Sequence, residues 1–497
     1  MNGLTQDIAD IGTIDLLIVG GGINGAAIAR DAAGRGLSVH LIEQHDLAQH
    51  TSSASTKLIH GGLRYLEYYE FRLVREALIE RERLLAIAPH IIWPLEFVLP
   101  YEAHLRPAWM IRTGLFLYDH LAKRKRLPAS RGVSFASHLA GRTLKPTFKR
   151  GFTYADCWVE DSRLVVLNAM DAAERGARIQ THCKLLSARP ENGIWQAETE
   201  AGPIRARALV NAAGPWVAEV LGSKLGLNTE KSVRLIKGSH IVTKRLYEGE
   251  NAFILQNPDG RIVFVIPYER TFSLIGTTDV PFTDDPNKVE ISAEETAYLC
   301  ESVSRYFRQA ITPADVVWSY AGVRPLYDDH APDAKAVTRD YVLDLKHNDT
   351  TPPLLSIFGG KITTSRKLAE HALEKLLPAM GKPLTPSWTG KAPLPGGDFT
   401  DFDSYLKEFR KQHDSLPADL ARRLVRAYGS RAERFVGNNM GEDLGGGLSE
   451  AEVDYLAQHE WARSAADILW RRSRMGLHVP PGTQERLDDY LRTHLTP

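Results

Sequence analysis

Cysteine and long hydrophobic runs are scarce in this sequence. Only three of its 497 residues are cysteine, and Cys157, Cys183 and Cys300 are too far apart to predict a disulfide framework or a zinc site. No apolar run approaches the roughly 18 residues that a membrane-spanning helix needs. Residues 1–13 contain two aspartates and no lysine or arginine, which argues against a secretory signal. We therefore expect a protein of a reducing compartment, without a metal site or a membrane-spanning helix.

Net charge is also absent, because 61 basic residues balance 61 acidic ones. The chain is too long for one core, so two or three domains are expected. The balance hides one basic segment, residues 104–150, which contains eleven lysines and arginines and a single acid, Asp119. Within it, residues 108–122 interleave aromatic and apolar side chains, and residues 123–126 are all basic.

An amphipathic helix beside a basic cluster is typical of a surface that binds an anionic membrane. A core helix followed by a solvated basic loop explains the same segment equally well. Nucleic acid is not expected as a partner, because no recognition motif accompanies the charge.

A strand–turn–helix–strand pattern occupies residues 14–43. Gly20, Gly22 and Gly25 form G-x-G-x-x-G at the turn: the first permits a tight turn, the second a close approach to a pyrophosphate, and the third close packing of helix on strand. Glu43 ends the second strand about 20 residues later, where a carboxylate binds a ribose 2′-OH. The pattern predicts a dinucleotide site, but it does not distinguish FAD from NAD.

Three later segments have the composition of a cofactor site. Residues 52–57 are small and rich in hydroxyls, and residues 58–65 place histidine, two glycines, arginine and tyrosine in a strand-like run. A buried strand at residues 354–358 leads into Gly359-Gly360 and a helix from about Thr363.

These motifs together resemble the D-amino-acid-oxidase-like FAD-dependent flavoproteins and, within them, the respiratory, aerobic glycerol-3-phosphate dehydrogenases. The resemblance covers almost the whole chain and is looser beyond about residue 370. Ser365 and Ala213 depart from the family pattern, without an expected effect on the chemistry. Four stretches carry the resemblance: Ser52–Leu66, Leu235–His240, Val323–Leu326 and Phe358–Thr364.

The resemblance implies an α/β fold in which a Rossmann-like FAD-binding domain is interleaved with a mixed-sheet substrate domain and followed by a C-terminal helical domain. The predicted boundaries are 1–85, 158–232 and 336–385 for the FAD-binding domain, 86–157 and 233–335 for the substrate and membrane-facing domain, 386–397 for a linker, and 398–497 for the helical domain.

The resemblance also implies FAD as the cofactor and oxidation of sn-glycerol 3-phosphate to dihydroxyacetone phosphate, with ubiquinone or a similar quinone as acceptor. It implies peripheral attachment to the cytoplasmic face of the inner membrane, with part of the protein in the cytoplasm. A homodimer is left open. The alternatives are an oxidase of the same fold that reduces O₂ to H₂O₂, an amino-acid oxidase, and a flavin-binding scaffold without turnover.

Oxidation of a secondary alcohol requires a hydride acceptor, which flavin N5 provides, and stabilisation of the negative charge that the reduced flavin gains. The helix that follows Gly359-Gly360 and the side chain of Lys361 could stabilise that charge. The predicted cofactor-binding residues are Gly20, Gly22, Ile23, Asn24, Gly25, Glu43, Ser52, Ser53, Lys57, Gly214, Gly359, Gly360 and Lys361.

Phosphate binding favours arginine, whose planar fork contacts two oxygens. Arg324 precedes Pro325 at a strand end and is the predicted phosphate ligand. Histidine suits the general base, and His60 ranks slightly ahead of His240 because Gly61-Gly62 permits close flavin approach. The predicted catalytic residues are His60, His240 and Arg324. The predicted substrate-binding residues are Arg64, Tyr65, Arg324, Arg339, Lys361 and Thr363.

Overall fold

The computed structural model describes residues 12–102, 107–227, 231–328, 340–437 and 439–494. In chain order the strands are β1 (Ile14–Val19), β2 (Val39–Ile42), β3 (Leu58–Ile59), β4 (Ile92–Pro100), β5 (Arg131–Ser134), β6 (Arg150–Val159), β7 (Arg178–Gln180), β8 (Leu185–Glu191), β9 (Ile194–Thr199), β10 (Gly202–Asn211), β11 (Val233–Lys244), β12 (Ala252–Gln256), β13 (Ile262–Tyr268), β14 (Phe272–Gly276), β15 (Val280–Pro281), β16 (Val316–Tyr327), β17 (Val342–Lys346), β18 (Leu354–Phe358), β19 (Asp443–Gly445) and β20 (Leu448–Ser449).

The helices are α1 (Ile23–Gly34), α2 (Phe71–Ile87), α3 (Ala108–His120), α4 (Asp161–Glu174), α5 (Val217–Glu219), α6 (Ala293–Tyr306), α7 (Ser365–Ala379), α8 (Phe402–Gln412), α9 (Ala418–Tyr428), α10 (Glu450–Glu460) and α11 (Thr483–His494).

The first sheet has eight strands and a parallel centre in the order β17-β18-β10-β1-β2-β7, with β8 and β9 joined through β9 to β10. Strand β1 runs parallel to both β2 and β10. All six of its residues are buried, as expected for a parallel strand covered on both faces. Helix α1 packs against α4 and α7 on this sheet.

The second sheet has ten strands along the order β15-β11-β14-β13-β12-β4-β6-β3, with β16 paired to β11 and β5 to β6. Its pairs are antiparallel except that β12 runs parallel to β4. The chain enters this sheet at β3 and again at β11, and it returns to the first sheet at β7 and at β17. This alternation confirms the predicted interleaved fold class, whereas the residue boundaries of the domains stay predictions.

Helix α2 exposes Arg72 and Arg75 on one side and buries charged residues on the other. Glu80, Arg81 and Glu82 on this helix are all buried. Arg81 pairs with Asp156, and Glu80 accepts hydrogen bonds from Arg366 at 2.7 Å. These ion pairs stabilise Glu80 and Arg81 inside the protein, because a buried charge is tolerated when an opposite charge meets it.

The C-terminal domain contains α8 to α11 and the small β19–β20 hairpin, and buried ion pairs attach it to the first sheet. Arg163 of α4 donates a 2.9 Å hydrogen bond to Glu460, and Arg472 donates a 2.7 Å hydrogen bond to Asp46. The preceding segment, predicted as a linker, is packed: Leu394 is buried, and the carbonyl of Tyr428 lies against Gly396.

Within the described ranges, no helix has both the length and the apolar character needed to cross a membrane.

Candidate active site

The glycine-rich turn connects β1 to α1. Gly20 has a φ of +114°, a conformation that glycine adopts without strain. A Cβ atom added to Gly25 would lie 1.9 Å from the carbonyl oxygen of Gly20, so only glycine allows the helix to approach the strand this closely. Ser52 supports the turn from the hydroxyl-rich loop, because its Oγ accepts a 3.0 Å hydrogen bond from the N–H of Ile23.

Glu43 anchors the same turn. Its carboxylate accepts hydrogen bonds from the N–H groups of Gly21 at 2.6 Å and His45 at 2.8 Å. Burial raises the pKa of Glu43, while these N–H groups oppose that rise. Glu43 also lines the cavity beside the turn. The predicted contact with a ribose stays a prediction, and the structure adds that the carboxylate holds the turn in place.

Two adjoining cavities lie beside the glycine-rich turn. The smaller, of about 140 Å³, is lined by Gly20, Gly22, Asn24 and Glu43. The larger, of about 630 Å³, lies towards the second sheet. The two share six lining residues, which are Ile23, Thr51, Ser52, Pro325, Gly359 and Gly360. Together they offer space for a dinucleotide beside the glycine-rich turn.

Six predicted catalytic or substrate residues, from distant parts of the chain, line the larger cavity: His60, Tyr65, His240, Arg324, Lys361 and Thr363. The Lys361 ammonium lies 4.1 Å from the ring centroid of Tyr65, and the Thr363 hydroxyl accepts a 3.3 Å hydrogen bond from the N–H of His60. Arg64 lies in the half-buried turn Leu63–Tyr68, outside this lining. Arg339 lies outside the described residues.

His240 is held more tightly than His60. Its Nε2 is 3.0 Å from the Thr56 hydroxyl, and its ring stacks on Tyr320 with centroids 4.7 Å apart. Burial, with Lys57 and Arg324 nearby, lowers the pKa of His240 well below its usual value. Burial also lowers the pKa of His60, and Lys361 adds to that effect. Both rings are therefore neutral at neutral pH and able to accept a proton.

Arg324 is oriented by contacts on one of its terminal nitrogens. Its Nη2 donates to the Thr278 carbonyl at 3.1 Å and pairs with Asp279. Thr278 is itself fixed, because its hydroxyl donates a 2.6 Å hydrogen bond to the buried carboxylate of Glu295. Both contacts are made by Nη2, and Arg324 lines the larger cavity.

Lys57 and Ser53 line neither of these two cavities but a third one that borders on both. Their predicted contact with the cofactor stays a prediction. The Lys57 ammonium is buried and donates to both oxygens of Asp161 at 2.9 Å. Lys57 therefore anchors the loop that carries Ser52. The sequence does not reveal this partner, which lies more than a hundred residues away.

Sequence reasoning missed Thr56, Thr278, Asp279 and Glu295. The only local signal is the cluster of small and hydroxyl residues with an acid at 276–279, directly after a strand. Their roles depend on β11 and β14, which bring His240 opposite Gly276. No periodicity in the sequence specifies that register.

Two family models match this chain. The model for FAD-dependent oxidoreductases covers residues 15–366, and the model for the C-terminal domain of alpha-glycerophosphate oxidase covers residues 387–490. The chain belongs to the FAD-dependent oxidoreductases.

Curated relatives match over nearly their full length. A glycerol-3-phosphate dehydrogenase of Pseudomonas aeruginosa is 56% identical, covering 96% of this chain and 95% of its own. The aerobic glycerol-3-phosphate dehydrogenase of Escherichia coli is 51% identical, covering 96% and 97%. A D-erythritol 1-phosphate dehydrogenase of Brucella abortus is 49% identical, covering 95% and 96%. The solved glycerol-3-phosphate dehydrogenase of Bacillus halodurans, complexed with FAD, aligns with a TM-score of 0.75 at 25% identity, covering 97% and 95%.

The residues of this FAD-dependent oxidoreductase fit the cofactor. Gly359 and Gly360 have φ angles of +78° and +101°, and the Gly359 carbonyl accepts a 3.1 Å hydrogen bond from the Asn24 side chain. The Oδ1 of Asn24 is buried without a hydrogen-bond partner among the described residues, beside the cavity that Gly214 also lines. An orphaned acceptor between two glycine-rich turns is suited to a bound polar ligand.

We predict that Gly25→Ala yields protein with little FAD. The added methyl group would force the helix away from the Gly20 carbonyl and open the turn that faces the pyrophosphate. The ratio of flavin to protein absorbance measures the outcome. Gly222→Ala is the control, because a Cβ atom there meets nothing within 4 Å. A fully flavinylated Gly25→Ala protein would show that the turn does not hold the cofactor.

Proposed function

We propose that this protein oxidises sn-glycerol 3-phosphate to dihydroxyacetone phosphate with FAD and passes the electrons to a membrane quinone. The main support is the large cavity, which brings Arg324, Lys361 and two neutral histidines to the Gly359-Gly360 turn. The names of three of the four proteins compared support the same substrate. When bound, FAD supplies the hydride acceptor for the alcohol carbon.

The side chains divide the remaining work. The guanidinium of Arg324 binds the substrate phosphate through charge-assisted hydrogen bonds. His60 accepts the hydroxyl proton, with His240 as the alternative base, since either neutral imidazole can take it. Lys361 and the N-terminal end of α7 stabilise negative charge that develops in the larger cavity. Tyr65 and Thr363 shape the wall between these groups.

An anaerobic titration tests the function. Glycerol 3-phosphate should bleach the yellow flavin rapidly and stoichiometrically, whereas glycerol should bleach it only slowly and amino acids should not bleach it. Protein that binds flavin but does not bleach with any phosphorylated polyol would be a scaffold rather than this enzyme. D-erythritol 1-phosphate is the alternative substrate to compare, because a relative at 49% identity is named D-erythritol 1-phosphate dehydrogenase.

Two further measurements identify the electron acceptor and the general base: reoxidation of the reduced flavin, and flavin reduction in histidine variants. Rapid reoxidation by a quinone analogue and slow reoxidation by air support the quinone; the reverse supports an oxidase, which the name of the C-terminal family model keeps as the second candidate. His60→Asn should slow flavin reduction by about 10²–10⁴-fold, the usual contribution of a general base. If only His240→Asn does so, His240 is the base.

We predict that Arg324→Lys lowers kcat/KM for glycerol 3-phosphate by roughly 10- to 150-fold. Lysine keeps the charge but loses the planar fork, and hydrogen bonds to charged groups are worth about 1.5–3 kcal/mol. Anaerobic stopped-flow reduction of the flavin measures this. The slow reaction with glycerol, which has no phosphate, is the internal control. An equal loss on both substrates would contradict a phosphate role.

Helix α3 supports attachment to a membrane surface. Its inner side buries Leu115 and Tyr118, while Trp109 is 67% exposed and Phe116 is 52% exposed on its outer side. Met110 and Leu117 extend that apolar outer face. An amphipathic helix with its apolar side directed outward is the geometry of interfacial binding. We propose that α3 places the protein on the cytoplasmic face of the inner membrane, where a quinone is accessible.

The four basic residues 123–126 that follow α3 differ in how far they are exposed for contact with lipid. Lys123 and Lys125 are exposed, as is Arg126, which also donates to the Thr400 carbonyl at 3.2 Å. Arg124 is partly buried and donates a 3.1 Å hydrogen bond to the Asp119 carbonyl. Lys123 and Lys125 are therefore the residues most able to meet anionic lipid.

We predict that Lys123→Glu with Lys125→Glu reduces flotation with anionic vesicles and slows quinone reduction, while dye reduction is unchanged. Each cation near such a surface contributes about 1 kcal/mol, and salt screens it over about 10 Å at 0.1 M. The control is the pair Arg410→Glu and Lys411→Glu on exposed positions of α8. Wild-type flotation of the first variant would show that the cluster is a solvated loop.

A further inference from the structure

An interdomain cavity of about 510 Å³ lies between α9 of the C-terminal domain and the second sheet. Its walls include residues 419–427, residues 93–95 of β4, and residues 267–270 at the β13–β14 turn. It shares no lining residue with the two cavities of the active site. The proposed oxidation reaction therefore does not account for it.

Arg426 is held in this wall by two aromatic rings and two backbone carbonyls. Its guanidinium carbon lies 3.4 Å from the ring centroid of Phe402 and 4.3 Å from that of Trp93. Its Nη1 donates to the carbonyl oxygens of Pro89 at 3.3 Å and His90 at 3.2 Å. The aromatic rings and the two carbonyls fix the guanidinium plane, so its remaining N–H groups stay available to a ligand in the cavity.

Arg426 also lacks a carboxylate. No described acid lies within salt-bridge distance of it, and burial together with Arg422 lowers the pKa of Arg426 to about 9. In the same wall, Arg423 pairs with Glu452 at 2.6 Å, and Arg474 pairs with Glu160 at 2.9 Å. A largely buried guanidinium without a counter-ion is costly, so the difference marks Arg426 as the place where negative charge is missing.

Two other arginines of the lining are poorly neutralised. Arg422 is 3.8 Å from Asp403, with both side chains exposed, and Arg270 has no described carboxylate partner. The unpaired acid in the lining, Asp419, lies in the first turn of α9, where the helix N-terminus favours a negative charge. The other acids of the lining are paired, Glu250 with Arg245 and both Glu160 and Glu269 with Arg474. Arg426 and Arg270 are thus the arginines of the lining that have no carboxylate partner among the described residues.

We propose that the interdomain cavity binds a small anion that carries a phosphate group, with Arg426, Arg422 and Arg270 as its ligands. A phosphate dianion matches more than one uncompensated arginine, whereas a single carboxylate matches only one. The guanidinium fork is also suited to phosphate oxygens. Because Arg270 belongs to the second sheet and Arg426 to α9, the bound anion joins the C-terminal domain to the substrate-binding part of the chain.

Calorimetric titration with inorganic phosphate tests the site. The FAD-loaded protein carries Arg324→Gln in every sample, which removes the proposed phosphate ligand of the active site. This protein should bind one phosphate saturably. Arg426→Gln in the same background should raise the dissociation constant for phosphate at least tenfold. Acetate, a monoanion, should bind more weakly than phosphate.

Arg463→Gln is the matched control, because it removes an exposed arginine of the same domain outside the cavity. Absence of saturable phosphate binding overturns the proposal, as does equal weakening by Arg426→Gln and Arg463→Gln. If Arg426→Gln does not retain flavin and native helical content, the exposed Arg270→Gln and Arg422→Gln variants decide by the same tenfold criterion.

Discussion

The buried carboxylate of Asp161, at the start of α4, joins three separate parts of the chain. It accepts hydrogen bonds from Lys57 at 2.9 Å, from the Ser55 hydroxyl at 2.8 Å and from Arg474 at 3.2 Å. Lys57 and Ser55 belong to the loop that also carries Ser52, and Arg474 belongs to the C-terminal domain. Removing one member of a buried charge cluster typically costs about 3–5 kcal/mol, because the remaining charges lose their partners. The loop, the first sheet and the C-terminal domain are therefore held together by one electrostatic centre.

This arrangement explains how side chains on loops are fixed in position in the candidate active site. Ser52 supports the glycine-rich turn, and Thr56 contacts His240, so both depend on a loop that Lys57 secures from behind. On the opposite wall, Glu295 fixes Thr278, which in turn directs Arg324. The side chains proposed to act on the substrate are thus positioned by partners that do not touch it. Such support is what keeps catalytic groups in their productive geometry.

The ionisable side chains of this protein occupy three different kinds of environment. The histidines of the active-site cavity are kept neutral by burial, which suits proton transfer. Arg163 and Arg472, at the domain junction, are fully buried and matched by Glu460 and Asp46. Arg426 is the exception, since aromatic rings and carbonyls take the place of a carboxylate. The zero net charge of the sequence conceals these differences.

The sequence by itself determined the features that depend on neighbouring residues. The turn at Gly20 to Gly25 is local, because a positive φ and a missing Cβ are properties of single positions, and the buried strand β1 follows from its apolar run. The resemblance of longer motifs to known flavoproteins additionally indicated the family and the interleaved fold. Only the tertiary structure decided which charges meet. It buried Arg81 and Lys57 in ion pairs, placed Arg64 outside the cavity lining, and set His240 opposite Gly276. Those outcomes depend on strand register and on partners far away in the chain, which periodicity along the sequence does not encode.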